Sequence, residues 1–107
     1  LIAPEKFIQY QPISEQPSSY KDISFSIKEF AKIDDLCNLI FSFKNNIIKD
    51  IFIFDYFHNE KKQEVKIGFR FIFQSSNTTL TSSEVDEVYY DIIKQSLVIN
   101  GVTIPGL

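Results

Sequence analysis

An α+β sandwich, a four-stranded antiparallel sheet with two helices covering one face, is the fold class this sequence predicts. Three observations predict it. Apolar residues alternate with a period of two in some segments and recur at three- and four-residue spacing in others. The segments follow one another as strand, helix, strand, strand, helix, strand. With 107 residues, 44% of them hydrophobic and 11 of them phenylalanine, the chain can fill one such core without disulfides or metals.

Residues 1–19, "LIAPEKFIQYQPISEQPSS", hold three of the four prolines and no sustained period, so they read as an extended lead-in to a domain at 20–107. "YKDISFSI" then alternates, with Ile23, Phe25 and Ile27 on one face and Asp22, Ser24 and Ser26 on the other, as a half-buried strand does. From Ile33 the spacing becomes helical through Leu36, Cys37, Ile40 and Phe43 or Lys44, with Asp34 and Asp35 at the positive end of the helix dipole. "KNN" at 44–46 tolerates left-handed backbone and is expected to close this helix.

A long strand follows from Ile47 to Phe57, then a polar turn at 58–64 and a second strand from Val65 to Phe73, together an antiparallel hairpin. Strict alternation places Phe52, Phe54 and Tyr56 on one side of the long strand and Ile51, Ile53, Asp55 and Phe57 on the other. Thr81 with Glu84 three residues later reads as a capping box opening a second helix, whose buried stripe is Val85, Val88, Tyr89, Ile92, Ile93 and Ser96. Asn100 and Gly101 stop it near Leu97, and "VTI" before Pro105 is a short edge strand. Right-handed crossovers in this order give a ferredoxin-like βαββαβ sandwich with one sheet face open.

Composition narrows the function. The chain starts at Leu1, has no methionine and has no apolar run long enough for a membrane span, which leads us to expect a segment of a longer protein. One cysteine and one histidine provide no cluster with metal-ligand spacing. A net charge of −3 argues against a generally basic, nonspecific nucleic-acid binder, though it permits a local basic patch. No catalytic constellation is evident: His58 is a surface residue of the hairpin turn, Cys37 a small hydrophobe of the helix stripe, and "INGVTIPGL" lacks a phosphate-cradling pattern.

Asp55, inside the apolar run "IFIFDYF", is the informative residue. An unpartnered carboxylate beneath the helices would cost several kcal/mol, so Asp55 belongs on the open face. Ile53 and Phe57 accompany it there, with Lys66, Gly68 and Arg70 from the next strand and Ser24 and Ser26 from the first. A ring, an acceptor and cations side by side suit an unstacked base, and Gly68 would let a flat ring approach closely. The same residues also read as a solvated cross-strand pair. Periodicity leaves both readings open.

The motifs "PSSYKDISFSI", "IFDYF", "FRFIF" and "TLTSSEV" occur in the order and spacing of a known family. From about Tyr10 to Gly101 the chain resembles the ferredoxin-fold anticodon-binding domain that closes phenylalanyl-tRNA synthetases. Its lead-in "YQPISEQP" is more similar to the single-chain organellar form than to the bacterial two-subunit form. Its richness in Ile, Lys, Asn and Phe points to an AT-biased genome. The resemblance implies that Phe57 stacks on the first anticodon base of tRNA-Phe, that Asp55 holds that base, and that Ser24 lines the pocket. Lys66 stands where relatives carry serine, and Lys61, Lys62, Lys66 and Arg70 are the implied phosphate contacts. Lys21, Gln74 and Thr78 occupy places where arginine is frequent, which weakens the expected grip on the backbone.

The resemblance further implies an upstream catalytic domain in the same chain using ATP and Mg, no cofactor in this segment, no membrane partner, and a mitochondrial or other organellar location, or else the cytoplasm. A different class of function on the same sandwich is a regulatory or protein-interaction domain using the sheet edge. A small enzyme of this fold is a third.

Overall fold

The computed structural model describes residues 18–75 and 78–106. The expected lead-in falls mostly on residues 1–17, outside that range, and Ser19 already belongs to the first strand. The elements are β1 (Ser19–Ile27), a 3-10 turn (Phe30–Lys32), α1 (Ile33–Ser42), β2 (Ile48–Asn59), β3 (Glu64–Phe73), α2 (Ser82–Ser96) and β4 (Val102–Thr103). The strands form one antiparallel sheet in the order β2-β3-β1-β4, the ferredoxin-like arrangement expected from the element order.

The core lies between one sheet face and the two helices. Ile23, Phe25 and Ile27 of β1 and Val65, Ile67, Phe69, Phe71 and Phe73 of β3 are buried there, against Leu36 and Ile40 of α1 and Val85, Ile92 and Ile93 of α2. These are the alternating positions of the strands and the three- and four-spaced positions of the helices, so burial follows the apolar pattern directly. Phe69 packs edge-on against both Phe25 and Phe41, each ring centroid 5.7 Å away. Ser96 is fully buried, and its hydroxyl donates to the Ile92 carbonyl one turn back. The capping box at α2 is formed: the Thr81 hydroxyl accepts from the Glu84 amide, and the Glu84 carboxylate accepts from the Thr81 amide.

Three local expectations are corrected. Residues 44–46 do not close α1 through left-handed backbone; among the described non-glycine residues only Gln63 has positive φ. Instead α1 stops at Ser42, Phe43 turns extended, and the Asn45 side chain accepts from the Ile47 amide, a local bond that competes with helix continuation. The hairpin turn is shorter than 58–64, because pairing continues to Asn59 opposite Glu64.

The third correction matters most. β2 does not alternate strictly, for its register with β3 shifts between Ile53 and Asp55 and leaves Phe54 as an extra residue. Ile51 and Ile53 lie opposite Phe71 and Phe69 on the helix side, whereas Phe52, Asp55 and Phe57 lie opposite Arg70, Gly68 and Lys66 on the open side. Ile53 therefore leaves the face predicted for it and Phe52 joins it. The physical reason is that strict alternation would put Ile51, which packs against the core, on the same face as Asp55, and one added residue separates the two, while Ile53 at the sheet edge stays 42% exposed.

Candidate nucleic-acid interface

Because directly opposed residues of antiparallel strands share a face, the register arranges the open face in rows across β1, β3 and β2. Ser24, Gly68 and Asp55 form one row; Ser26, Lys66 and Phe57 form the next toward the hairpin turn. In the other direction come Asp22, Arg70 and Phe52, then Tyr20, Ile72 and Asp50. The sequence-predicted residues Ser24, Asp55, Phe57 and Lys66 are thus brought into two adjacent rows. Lys61 and Lys62 lie exposed in the turn beyond Phe57.

Asp55 and Phe57 are held by β2, an edge strand, and both are exposed, Phe57 to 56%. Among the described residues the Asp55 carboxylate has no ion-pair or side-chain hydrogen-bond partner, and Lys66 does not pair with it. An acceptor and a bare ring, one row apart and facing outward, can serve a planar ligand carrying N–H donors.

Gly68 has a different use from the expected one. A Cβ built there would stand 2.9 Å from two ring atoms of Phe54 and 3.3 Å from the Asp55 Cβ. The ring that approaches the sheet over Gly68 is therefore the chain's own Phe54, the bulge residue, set on the open face beside Asp55.

Arg70 is held between neighbours. Its Nε and Nη2 donate to the two Asp22 carboxylate oxygens at 2.8 and 2.9 Å, and its guanidinium lies 4.2 Å from the Tyr20 ring centroid and 5.0 Å from that of Phe54. The Asp22 hydrogen bonds are the first cause holding the Arg70 pKa above its ordinary value. This grouping of Tyr20, Asp22, Phe54 and Arg70 was not predicted. Asp22 and Arg70 are outward-facing opposite charges in the sequence, but only the register places them opposite each other.

Glu64, assigned to the turn from sequence, begins β3 and is nearly buried; the buried Ser26 hydroxyl donates a hydrogen bond to its carboxylate. That bond is the main reason the Glu64 carboxyl stays ionised below its ordinary pKa, against the opposing effect of burial, and Lys66, Lys28 and Lys62 add to it. Three lysines thus gather at the hairpin end of the open face.

Other predicted residues lie elsewhere. Lys21 turns to the helix side, 3.5 Å from Asp86 of α2, and His58 stacks edge-on against Phe30 with ring centroids 5.2 Å apart. Burial, followed by the nearby Asp34, raises the Cys37 thiol pKa, which disfavours the thiolate. Two grooves among the described residues run along α2, one lined by Phe43 and Tyr90 and one lined by Tyr20 and Asp86.

The sequence matches the family model described as "Ferredoxin-fold anticodon binding domain" over residues 14–102. It is 28% identical over 81 residues to "Phenylalanine--tRNA ligase, chloroplastic/mitochondrial" of Arabidopsis thaliana, covering 76% of this chain and 19% of that protein. Against "Phenylalanine--tRNA ligase beta subunit, chloroplastic" of Pyropia yezoensis it is 33% identical over 89 residues, covering 81% of this chain and 12% of the relative. "Probable phenylalanine--tRNA ligase, mitochondrial" of Drosophila melanogaster is 27% identical over 95 residues, with 83% and 21% covered. The chain spans about a fifth or less of the length of these relatives.

Proposed function

From the premise that the chain belongs to the family of ferredoxin-fold anticodon binding domains, we propose that its open face reads the anticodon of tRNA-Phe for a phenylalanine-tRNA ligase. One observation supports this reading above the others: the exposed Asp55 stands in a row with Ser24 and Gly68, and the exposed Phe57 stands in the next row beside Lys66. In this reading the first anticodon base stacks on Phe57. Its ring N–H and amino edge donate to Asp55, and Ser24 bounds the pocket. Lys61, Lys62 and Lys66 take the phosphates of the loop. Arg70, two of whose donors already serve Asp22, is a weaker phosphate ligand than the three lysines.

The parent would supply catalysis, with ATP and Mg, from a domain outside this segment, and the segment itself would select and hold tRNA. The chloroplastic/mitochondrial relative of Arabidopsis thaliana and the mitochondrial one of Drosophila melanogaster support an organellar location and the single-chain form, while beta subunits also match, one chloroplastic from Pyropia yezoensis and one from Staphylococcus aureus at 31% identity over 88 residues.

The test is binding of a tRNA-Phe transcript to the chain by fluorescence anisotropy. Phe57→Ala is expected to weaken binding by about tenfold, the lower part of the range for loss of one stacked base. Asp55→Ala is expected to bind first-position variants of the anticodon nearly equally. Unchanged binding and unchanged discrimination in both variants would refute the reading. A tight, salt-insensitive complex with a protein and none with RNA would favour an interaction domain, for which the exposed β2 edge with Ile53 and Tyr56 is the available surface.

A further inference from the structure

The group of Tyr20, Arg70, Phe54 and Asp22 lies beside the residues assigned to the first anticodon base, and no stacking role has yet been given to it. It is nonetheless built with more order than an exposed sheet face requires. The Asp22 carboxylate grips the guanidinium through two hydrogen bonds, which fixes its plane, and the Tyr20 and Phe54 rings both lie within stacking range of it. Tyr20 remains 57% exposed and Phe54 43% exposed. Asp22 balances the Arg70 charge, so the cluster presents flat π surfaces rather than a free cation.

Its position relative to the proposed pocket is set by the register. Phe57 lies opposite Lys66, Phe54 over Gly68, and Arg70 two residues further along β3, with Tyr20 beyond it on β1 opposite Ile72. These four groups form a diagonal path of planar surfaces across the sheet. From Lys66 to Arg70 is four residues, or about 13 Å of strand. A short run of unstacked single-stranded nucleotides covers such a distance.

We propose that Tyr20, backed by Arg70 and Phe54, is a second base-stacking platform, which takes another nucleotide of the same single-stranded loop whose first anticodon base sits at Phe57. The inference rests on the anticodon-binding reading given above. The occupant is RNA rather than protein because the path starts among Lys61, Lys62 and Lys66, whose charge complements phosphates, and because stacked planar groups match the π face of a base. Since every base has such a face, this platform contributes affinity with little sequence preference, while Asp55 contributes discrimination.

The experiment uses the chain and a labelled tRNA-Phe anticodon stem-loop, intact or carrying a single abasic site at each loop position in turn. Tyr20→Ala should weaken binding to the intact loop by about tenfold and Tyr20→Phe by less than about twofold, since the phenyl ring keeps the stacking face. One abasic loop, with its missing base outside the first anticodon position, should bind wild type and Tyr20→Ala equally, because the base that Tyr20 would contact is gone. The inference is overturned if Tyr20→Ala binds like wild type while Phe57→Ala loses affinity. It is also overturned if the Tyr20→Ala loss persists with every abasic loop, which would mark a role in positioning Arg70 instead. If neither Tyr20→Ala nor Phe57→Ala loses affinity, the anticodon reading itself has failed.

Discussion

Gly68 lies beneath the Phe54 ring, and the space it leaves is what lets that ring come close to the sheet beside Asp55 and reach Arg70. Gly68→Ala would put a methyl group 2.9 Å from the ring, which must swing away from the guanidinium. We expect a loss of about 1–2 kcal/mol in denaturant unfolding, typical of mild overpacking and partly offset by the lower backbone entropy cost of alanine. Equal stability of variant and wild type would show that the ring is not held there. The sequence made Gly68 legible as a point of close approach but could not say that the chain would supply the ring, because Phe54 sits at a bulge that no glycine or proline marks. Glu64 gives a second prediction. The hydrogen bond from Ser26 and the nearby lysines depress its folded-state pKa, so its contribution to stability is present above its ordinary value of 4.5 and is lost as pH falls through the lower folded value. Between pH 5 and pH 3 the melting temperature of wild type should therefore fall more steeply than that of Glu64→Gln, and parallel curves would contradict the assignment.

The strand β2 decides which chemistry reaches the surface. Its bulge at Phe54 puts Ile51 and Ile53 on the helix side and Asp55 and Phe57 on the open side, and removing Phe54 restores simple alternation from Asp50 onward with those assignments kept. A variant lacking Phe54 should accordingly fold and keep the proposed discrimination at the first anticodon base, while losing the ring beside Arg70. Loss of that discrimination in a folded protein would mean that the bulge itself shapes the pocket. β1, β3 and both helices were legible because each has one buried face, which imposes a period on its apolar residues. β2 was legible as a strand but not in its facing: as an edge strand with apolar residues on both sides, its alternation carries no sign of which side is inward. The pairing of Asp22 with Arg70 was hidden for a related reason, since it depends on the register of two strands 48 residues apart.

At the scale of the whole molecule, the proposed reading asks a chain of net charge −3 to attract a polyanion through local rather than overall charge. The lysines near the hairpin turn provide it, Lys61 and Lys62 in the turn and Lys66 on β3, and they stand beside the pocket rather than across it. If these three contact phosphates, the logarithm of the tRNA association constant should fall with the logarithm of salt concentration with a slope of about −2, and Lys62→Ala should make it shallower by about 0.7. A slope near zero would remove phosphate binding from the account. The element order sufficed to predict the sandwich and its open face, and the sign of Asp55's environment followed from the cost of burying a charge. The central claim, that RNA is read on the sheet face away from the helices, is tested most directly by mapping amide chemical-shift changes in the isotope-labelled chain as a tRNA-Phe anticodon stem-loop is added. The account predicts that the largest changes fall on Ser24, Asp55, Phe57, Lys66 and their neighbours on β1, β2 and β3. Changes confined to α1 and α2, with the open face unmoved, would contradict it.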